Sequence, residues 1–309
     1  QQTLLTLQIR QSQLTQASAE KRPIISSGFS ALNSSDTDAS FGADLSVSWQ
    51  ADLWGKLADN EGAAELDITE QNLLYQSARD TLAAEVMQVW LTLIAQQRAI
   101  NIEQQRNDSL QQTESFILQR YRQGLGTLED LDLARSAVAT SSASVESLTE
   151  NYRQQSIQLK TLIGQVDNPQ FTLPINYPEV AIPEIDLPQQ SLNRRPDLLA
   201  AYAAIQAASA RTEVAYKDLL PSLNLQAVLE DVSSSPRASL FTSPVWSLLG
   251  QLTAPLYQGG QLRAEAEISE LDTAIAYQQY RDTLLNAVTE IEQALSQEQA
   301  LLKRQQHIE

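Results

Sequence analysis

Side chains that commonly carry chemistry are scarce in this sequence. Its 309 residues include no cysteine and a single histidine, His307. No histidine pair has zinc-ligand spacing, and Gly124 and Gly126 lack the third glycine of a phosphate-binding loop. The adjacent acids Glu129 and Asp130 are more typical of a solvated helix start than of a general acid and base. We therefore expect no catalytic activity, no cofactor and no metal ion.

Charge and composition restrict the class of protein. The net charge of −17 argues against nucleic-acid binding, which depends on clustered Lys and Arg. Acidity of this size fits either plain solubility or a surface that attracts cations. Only 6% of the residues are aromatic although 42% are hydrophobic, which favours long packed helices over one thick core. No run approaches the roughly 18 to 20 apolar residues of a membrane-spanning helix, whereas barrel strands remain compatible with the sequence.

Two stretches alternate apolar and polar residues in the manner of membrane-barrel strands. The second stretch, 244–256, repeats the face of the first, 41–53, when the numbering is shifted by 203. A period of two held over 13 residues predicts strands with one apolar face. Asp44 and Asp52 lie on the polar side, where a cation-attracting lumen and an ordinary solvated face explain them equally well. The apolar set of the first stretch is Phe41, Ala43, Leu45, Val47, Trp49, Ala51 and Leu53.

Long helices are expected after both strands. Neither glycine nor proline occurs from 63 to 123 or from 261 to 309. One helix over about 55–121 would be roughly 100 Å long at 1.5 Å per residue, so it must be a rod. The two glycines of Tyr121-Arg122-Gln123-Gly124-Leu125-Gly126-Thr127 then predict a helix end and a tight reversal.

The return arm of this hairpin has the apolar spacing of a coiled coil. Small and polar seam members supply little hydrophobic drive, so each arm is expected to need neighbours on both sides. Trp90, inside the outgoing arm, is interpreted as a packing residue. The seam of the return arm is Leu131, Ala134, Val138, Ser141, Val145, Leu148, Tyr152, Gln155, Leu159 and Leu162. The outgoing seam is Leu82, Val86, Val89, Leu93, Gln96, Ile100, Leu110, Ile117 and Tyr121.

Prolines mark the remaining boundaries. Five of them exclude a regular helix from 165–190, which we interpret as an extended collar. A helix is expected to begin near Arg195-Pro196-Asp197 and to end before Pro221. A strand follows at Leu223, Leu225, Ala227 and Leu229, and its counterpart after Pro23 lies 198 residues earlier. The predicted organisation is helical at 1–22, 55–164, 191–220 and 258–309, with strands at 23–54 and 221–257.

The two halves form an internal repeat. Arg79-Asp80-Thr81-Leu82 recurs as Arg281-Asp282-Thr283-Leu284 at an offset of 202, in register with the strand offsets of 198 and 203. These offsets predict a longer loop between the second pair of strands and a one-residue deletion in the following helix.

The number of strands predicts an oligomer. The smallest common membrane barrel has about eight strands, and an open edge in lipid leaves backbone groups unsatisfied. Four strands per chain must therefore be completed by other copies. Two copies supply eight strands and three supply twelve.

The sequence resembles the TolC-like outer membrane efflux protein family over essentially its whole length. The strongest motif, Arg195-Pro196-Asp197-Leu198-Leu199-Ala200-Ala201 leading to Leu220-Pro221-Ser222-Leu223-Asn224-Leu225, is similar to that of the branch serving resistance-nodulation-division pumps. Val47-Ser48-Trp49-Gln50-Ala51-Asp52-Leu53-Trp54-Gly55-Lys56 and Pro255-Leu256-Tyr257-Gln258-Gly259-Gly260 resemble the two strand-to-helix junctions of that branch. The segment 120–127 resembles the periplasmic tip hairpin.

The resemblance implies a mainly helical protein with a small β part. Long antiparallel coiled-coil helices would form a periplasmic tunnel, and four strands per chain would contribute to a trimeric twelve-stranded barrel in the outer membrane of a Gram-negative bacterium. The implied function is passive export of drugs or other small toxic compounds. The implied partners are two further copies, a periplasmic adaptor, an inner-membrane pump and outer-membrane lipid, with no nucleic acid.

Compared with the family, the chain looks truncated at both ends. An additional N-terminal helix is expected before it, as is the lipid-attachment cysteine common in this branch. A second tip, which carries much of the acidic periplasmic constriction in the family, is expected after it.

The resemblance also assigns candidate site residues. Trp54 and Tyr257, which end their strands, are candidate membrane-interface aromatics, with ordinary packing as the alternative. Arg195, Pro196 and Asp197 mark the signature helix start and are assigned no transport role. The expected adaptor contacts at the tip are Arg120, Gly124, Leu125, Gly126 and Thr127. Two rival functions remain: an exit duct for type I protein secretion, and a structural coiled-coil rod.

Overall fold

The structure, a computed structural model, consists of helices and one antiparallel sheet. It describes residues 2–34, 37–165, 173–174, 177–178, 192, 194–236, 239 and 241–308. The chain divides into two compact units, one formed by Gln1–Ser77 with Asp186–Glu309 and the other by Ala78–Ile185.

The helices and strands follow one another much as the sequence predicts. Their bounds are α1 Gln2–Glu20, β1 Ile24–Ser34, β2 Thr37–Ala51, α2 Lys56–Arg122, α3 Leu128–Leu162, α4 Pro196–Lys217, β3 Ser222–Ser233, β4 Val245–Thr253 and α5 Gln261–Ile308. Helix α2 is continuous over 67 residues, as the absence of internal proline predicts.

Within the described ranges, no helix is both long and apolar enough to cross a membrane.

The first unit contains the sheet, whose strands lie in the order β1-β2-β3-β4 with every neighbouring pair antiparallel. Its register places apolar residues opposite one another: Leu45 pairs with Leu229, Val47 with Ala227 and Trp49 with Leu225. On the outer strands, Ile25 pairs with Val47 and Leu248 with Ala227. Because side chains alternate along a strand, this register gives the sheet one apolar and one polar face.

Strand pairing confirms the repeat and corrects its numbering. In the first hairpin Ile24 pairs with Ser48, and in the second Ser222 pairs with Thr253, so β1 and β3 differ by 198 and β2 and β4 by 205. The positive-φ glycines Gly55 and Gly260, directly before α2 and α5, are also 205 apart. The predicted offset of 203 is therefore wrong by two residues. Alternation of apolar and polar residues cannot reveal this error, because a shift of two residues leaves every side chain on the same face of the sheet. The helical motif repeats at an offset of 202, which is three less than the offset of 205 at the starts of the two helices. Between its start and this motif, α5 therefore has three residues fewer than α2, and the predicted deletion of one residue is wrong.

Helices α4 and α5 pack against each other in the first unit, and the buried residues of both helices are mostly alanine. The small side chains let two helices approach closely, as small residues do at tight helix crossings. The Thr212 hydroxyl lies 3.2 Å from the Ser269 hydroxyl and 3.0 Å from that of Thr273, which ties the helices together. The buried alanines are Ala200, Ala203 and Ala207 on α4, and Ala266, Ala276 and Ala287 on α5.

The second unit is the predicted helical hairpin. Its core is Val89, Leu93 and Leu159, and Trp90 packs against it, which confirms Trp90 as a packing residue. Leu131 and Ser141 of the predicted seam are also buried. The Ser141 hydroxyl donates to the Glu103 carboxylate at 2.7 Å, so this polar seam position is satisfied across the hairpin, whereas Oε1 of Gln96 in the outgoing seam is buried without a hydrogen-bond partner.

Two predicted seam positions are exposed to solvent. Tyr121, at the end of α2, is 40% exposed, and Leu82 is 44% exposed. The core residue Val89 of α2 packs with Leu159, near the end of α3 at Leu162, so the earlier turns of α2 have no α3 residues opposite them.

The predicted collar at 165–190 lies mostly outside the described residues. Two of its described members belong to the second unit. Leu173 packs against the hairpin core, and the Arg98 guanidinium lies 4.5 Å from the centre of the Tyr177 ring.

Candidate functional site

The candidate site has two parts, the sheet with its junction to the helices and the hairpin tip. The polar face of the sheet is lined mainly by small hydroxyl and amide side chains. The Ser26 and Ser46 hydroxyls lie 2.7 Å apart across β1 and β2. Asp44 and Glu230 are directly paired on the same face. The arrangement offers a wettable surface backed by an apolar one, as a channel wall in a membrane requires.

Side chains at the base of the sheet fix the start of α2. The Asp52 carboxylate accepts hydrogen bonds from the backbone N–H groups of Leu57 at 3.1 Å and Ala58 at 3.0 Å. Gly55, with a φ of 73°, makes the reversal between strand and helix. Of the two aspartates assigned to the polar side, Asp52 is therefore a helix cap, because it satisfies otherwise unpaired donors of the first turn.

Lysines close the junction between α2 and α4. Lys56 pairs with Asp218, and Lys217 pairs with Asp59. The lysines flank the two helix termini that meet the sheet, so these ion pairs fix the direction in which the helices leave it.

Both predicted interface aromatics lie at this junction. The Trp54 indole N–H donates to the backbone carbonyl of Pro221 at 2.7 Å, which holds the ring beside the start of β3. Tyr257 is 87% exposed and the neighbouring Leu256 is 95% exposed. Trp54, Leu256 and Tyr257 line one open cavity of about 600 Å³. The structure thus places the two aromatics together, and their contact with lipid remains a prediction.

The hairpin tip brings the predicted adaptor residues into one ordered turn. Gly124 has a φ of 74°, and the backbone N–H of Leu125 donates to the carbonyl of Arg120 at 2.9 Å. The Arg120 guanidinium donates in turn to the Leu125 carbonyl at 3.0 Å. These bonds terminate α2 and present the Leu125 side chain, which is 65% exposed.

A capping box begins the return arm. The Thr127 side chain accepts from the backbone N–H of Asp130 at 3.1 Å, and the Asp130 carboxylate accepts from the Thr127 N–H at 3.2 Å. Hydrogen bonds from Thr127 lower the pKa of the Asp130 carboxyl. Asp130 is therefore a helix-capping residue, in agreement with the sequence prediction that it belongs to a solvated helix start.

The signature helix start is a structural ion cluster. The Arg195 guanidinium donates to both Asp197 oxygens, at 3.1 and 2.8 Å, and it also contacts Glu290 of α5 at 2.8 Å. The hydrogen bond from Arg195 lowers the pKa of Asp197. Pro196 occupies the first turn of α4, where its missing N–H costs nothing.

One cluster of ion pairs is not predicted from the sequence. Asp67 of α2 is only 8% exposed and forms ion pairs with Arg10 of α1 and Arg211 of α4, joining three helices. Burial, followed by the charge of Asp67, raises the pKa of Glu70 one turn away. The signal available in the sequence was weak, since acids and arginines at these spacings also occur on solvated helix faces.

The fold and site together define a class of protein. A duplicated unit of strand pairs and long helices, with a polar and an apolar sheet face, is the architecture of an outer-membrane channel subunit. The model of the family described as outer membrane efflux protein matches residues 1–165 and 187–309. The chain belongs to this family, which confirms the resemblance drawn from its motifs and the outer-membrane location expected from it.

Individual relatives agree with this assignment. The chain is similar to the pyoverdine export outer membrane protein OpmQ of Pseudomonas putida, with 31% identity over 278 residues that cover 89% of this chain and 59% of OpmQ. It thus spans about six tenths of that relative. The CusC crystal structure superposes with a TM-score of 0.87 at 20% identity, covering 98% of this chain and 73% of CusC. VceC of Vibrio cholerae gives a TM-score of 0.84 at 21% identity, covering 98% and 76%. These two likenesses show the fold.

Proposed function

We propose that this protein is the exit duct of a tripartite efflux system. In this proposal it conducts small molecules passively from the periplasm to the outside, and an inner-membrane pump drives the export through a periplasmic adaptor. The family supports a role in outer-membrane efflux and is one of channels rather than enzymes.

One observation carries the proposal. The described sheet has four strands with an apolar and a polar face, and β1 and β4 each have a neighbour on one side only. In lipid, an open edge leaves backbone donors and acceptors unsatisfied at several kcal/mol per group, about 2 to 7 in apolar surroundings. Pairing of β1 with β4 of another copy removes both edges. We infer a trimer with a twelve-stranded barrel, because three copies follow from the family resemblance.

The proposed adaptor contact is the tip turn formed by Arg120, Gly124, Leu125, Gly126 and Thr127. Its support is geometric, since the turn is rigidly hydrogen-bonded and presents an exposed apolar side chain at Leu125. The proposed membrane-interface contact is made by Trp54 and Tyr257, with outer-membrane lipid as the partner.

The rival functions differ in what they require. A structural coiled-coil rod has no use for a sheet with two contrasting faces. A type I secretion duct would share the architecture, and the similarity of the Arg195-Pro196-Asp197 helix to the branch that serves efflux pumps favours small molecules. The relative OpmQ, as its name states, is an outer membrane protein of pyoverdine export, which is consistent with this preference.

Gene deletion in the host tests the proposed function. We expect the deletion strain to become more susceptible to several toxic compounds, and expression of the intact gene to restore resistance. Pump inhibition should remove the difference between the two strains. Unchanged susceptibility across a broad panel, together with loss of a secreted protein from the medium, would replace small-molecule efflux by protein secretion.

A further inference from the structure

The open cavity beside Trp54 and Tyr257, about 600 Å³ in volume, has charges of both signs in its wall. A volume of this size lies within the range of protein sites for small molecules, about 300 to 1,000 Å³. Among the described residues, the charged side chains that line it are Asp52, Lys56, Lys217 and Asp218. Two carboxylates and two ammonium groups cancel, so the wall offers charge without a net sign.

Two of these four groups are committed to the junction, and the other two remain accessible. Asp52 caps α2, and Lys217 pairs with Asp59. Lys56 and Asp218 pair with each other, yet their side chains are still 32% and 38% exposed. An ammonium group has three donors and a carboxylate about four acceptor sites. The hydrogen bond between Lys56 and Asp218 therefore leaves most of their capacity for a further partner.

Large apolar side chains surround the same cavity. Those that line it and are exposed are Leu53, Trp54, Leu220, Leu256 and Tyr257. The lowest row of the apolar sheet face adjoins them, because Ala51 also lines the cavity and pairs with Leu223, which pairs with the exposed Leu252. A contiguous exposed apolar patch next to charged groups marks a surface that another molecule covers. The patch and the ion pair together call for an amphipathic ligand with a charged head.

We propose that this cavity seats the headgroup of one zwitterionic phospholipid of the periplasmic leaflet. The phosphate accepts from the Lys56 ammonium, and the primary ammonium of the lipid donates to the Asp218 carboxylate. The acyl chains lie along Leu256 and Leu252, where the apolar sheet face begins. This inference rests on the proposed function, and it gives the proposed membrane-interface contact a chemical class of lipid.

The balance of charge in the wall decides between headgroups. An ethanolamine headgroup has a phosphate and an ammonium with three N–H donors, so it supplies a partner for both Lys56 and Asp218. A choline headgroup has the same net charge but no N–H donor. A glycerol headgroup brings a phosphate without a cation, and its charge is repelled by Asp52 and Asp218. The expected order of affinity is phosphatidylethanolamine, then phosphatidylcholine, then phosphatidylglycerol.

Native mass spectrometry of the oligomer extracted from the outer membrane tests this order. The oligomer is stripped of lipid in detergent and titrated with the three phospholipids, matched in their acyl chains. The affinity for each is read from the intensities of the lipid-bound peaks. We expect the wild type to favour phosphatidylethanolamine over phosphatidylglycerol by about fivefold, the effect of one partly exposed charge pair.

Asp218→Asn gives the sharpest test because it changes the order itself. The wall then has a net charge of one positive unit, so phosphatidylglycerol should bind at least as tightly as phosphatidylethanolamine. This result is a ratio within one variant, and a loss of stability at the junction does not imitate it. Lys56→Gln should weaken the binding of all three lipids by about fivefold, since each has a phosphate.

A matched control removes a similar ion pair elsewhere. Lys21 pairs with Glu61 and is as exposed as Lys56, at 34% against 32%, but it does not belong to the described wall of the cavity. Lys21→Gln should leave the affinities and their order unaltered. Equal weakening of lipid binding in Lys21→Gln and Lys56→Gln would overturn the proposed site.

A soluble headgroup distinguishes a membrane lipid from a solute in transit. Glycerophosphoethanolamine in large excess should displace little phosphatidylethanolamine, because it lacks the acyl chains that bury apolar surface. Effective displacement would overturn the proposal of a lipid.

The remaining outcomes separate this inference from the proposed function. Equal affinities for the three phospholipids, or an order unchanged in Asp218→Asn, would overturn the headgroup site and leave the duct untouched. Absence of the protein from the outer-membrane fraction would contradict the proposed function itself, and with it this site.

Discussion

The glycines of the hairpin tip provide a sharp test of how the turn is built. Gly124 has a φ of 74°, and a Cβ added there meets nothing within 4 Å. Gly124→Ala therefore costs only the backbone strain of the left-handed conformation, about 1 to 2 kcal/mol. At about 1.4 kcal/mol per factor of ten, local opening of the turn should become roughly 5 to 30 times more frequent.

Gly126 offers a matched control two residues away. Its φ lies outside the left-handed range, and an added Cβ would be 3.4 Å from the backbone nitrogen of Tyr121, close to ordinary van der Waals contact. Gly126→Ala should be neutral or stabilising by up to about 1 kcal/mol, because it reduces the freedom of the unfolded chain. Gly124→Asn should recover part of the loss, since asparagine tolerates the left-handed region.

Hydrogen exchange read by mass spectrometry measures this opening. The reporters are the backbone N–H groups of Leu125, Asp130 and Leu131, which are hydrogen-bonded within the turn and its cap. Faster exchange in Gly124→Ala but not in Gly126→Ala is the expected pattern. Equal acceleration in the two variants would refute the reasoning, since it would mean that space rather than backbone conformation limits the turn.

Three further predictions concern the first unit. Asp67→Asn should lower the free energy of unfolding by about 1 to 2 kcal/mol, measured by denaturant titration in detergent. The loss is modest because the arginines left without this partner, Arg10 and Arg211, are partly exposed and screened by solvent. No change would mean that the three-helix cluster contributes nothing to stability. Glu70→Gln should stabilise the protein at pH 7 and progressively less as the pH falls toward about 4, since a carboxyl whose pKa is raised by folding opposes folding only when ionised; a constant difference between pH 7 and 4 would contradict this cause. Trp54→Phe should lower the melting temperature through loss of the 2.7 Å hydrogen bond to Pro221, worth about 1 kcal/mol. Trp90→Phe serves as a comparison, because the Trp90 ring makes no hydrogen bond within the described residues; equal losses in the two variants would assign the effect to ring size.

Local sequence pattern was sufficient for the elements of this fold. Alternation predicted the strands, the absence of proline predicted α2, and the two glycines near residue 125 predicted the reversal, because each signal acts through the conformation of neighbouring residues. The apolar sheet face also follows from alternation alone, since side chains on a strand point to opposite sides.

Register and long-range pairing required the structure. A shift of two residues between β2 and β4 leaves every side chain on its face, so the sequence could not distinguish 205 from 203. The partners of Asp67 lie 57 and 144 residues away in the chain, at Arg10 and Arg211. Asp52 is similar: the same carboxylate fits a lumen or a helix cap, and only the fold decides between them. Periodicity alone also places Leu82 in a seam, because the helical pattern of α2 continues beyond the end of the partner helix.

The central claim is that copies of this chain complete its four-stranded sheet into a closed channel wall. The most direct measurement is the exchange rate of the outward-facing N–H groups of the edge strands β1 and β4, recorded on the particle extracted from the outer membrane together with its mass. A closed barrel predicts a trimeric mass and protection of both outer edges, because β1 of one copy donates to β4 of the next. A monomeric particle whose β1 and β4 edges exchange freely would contradict the account.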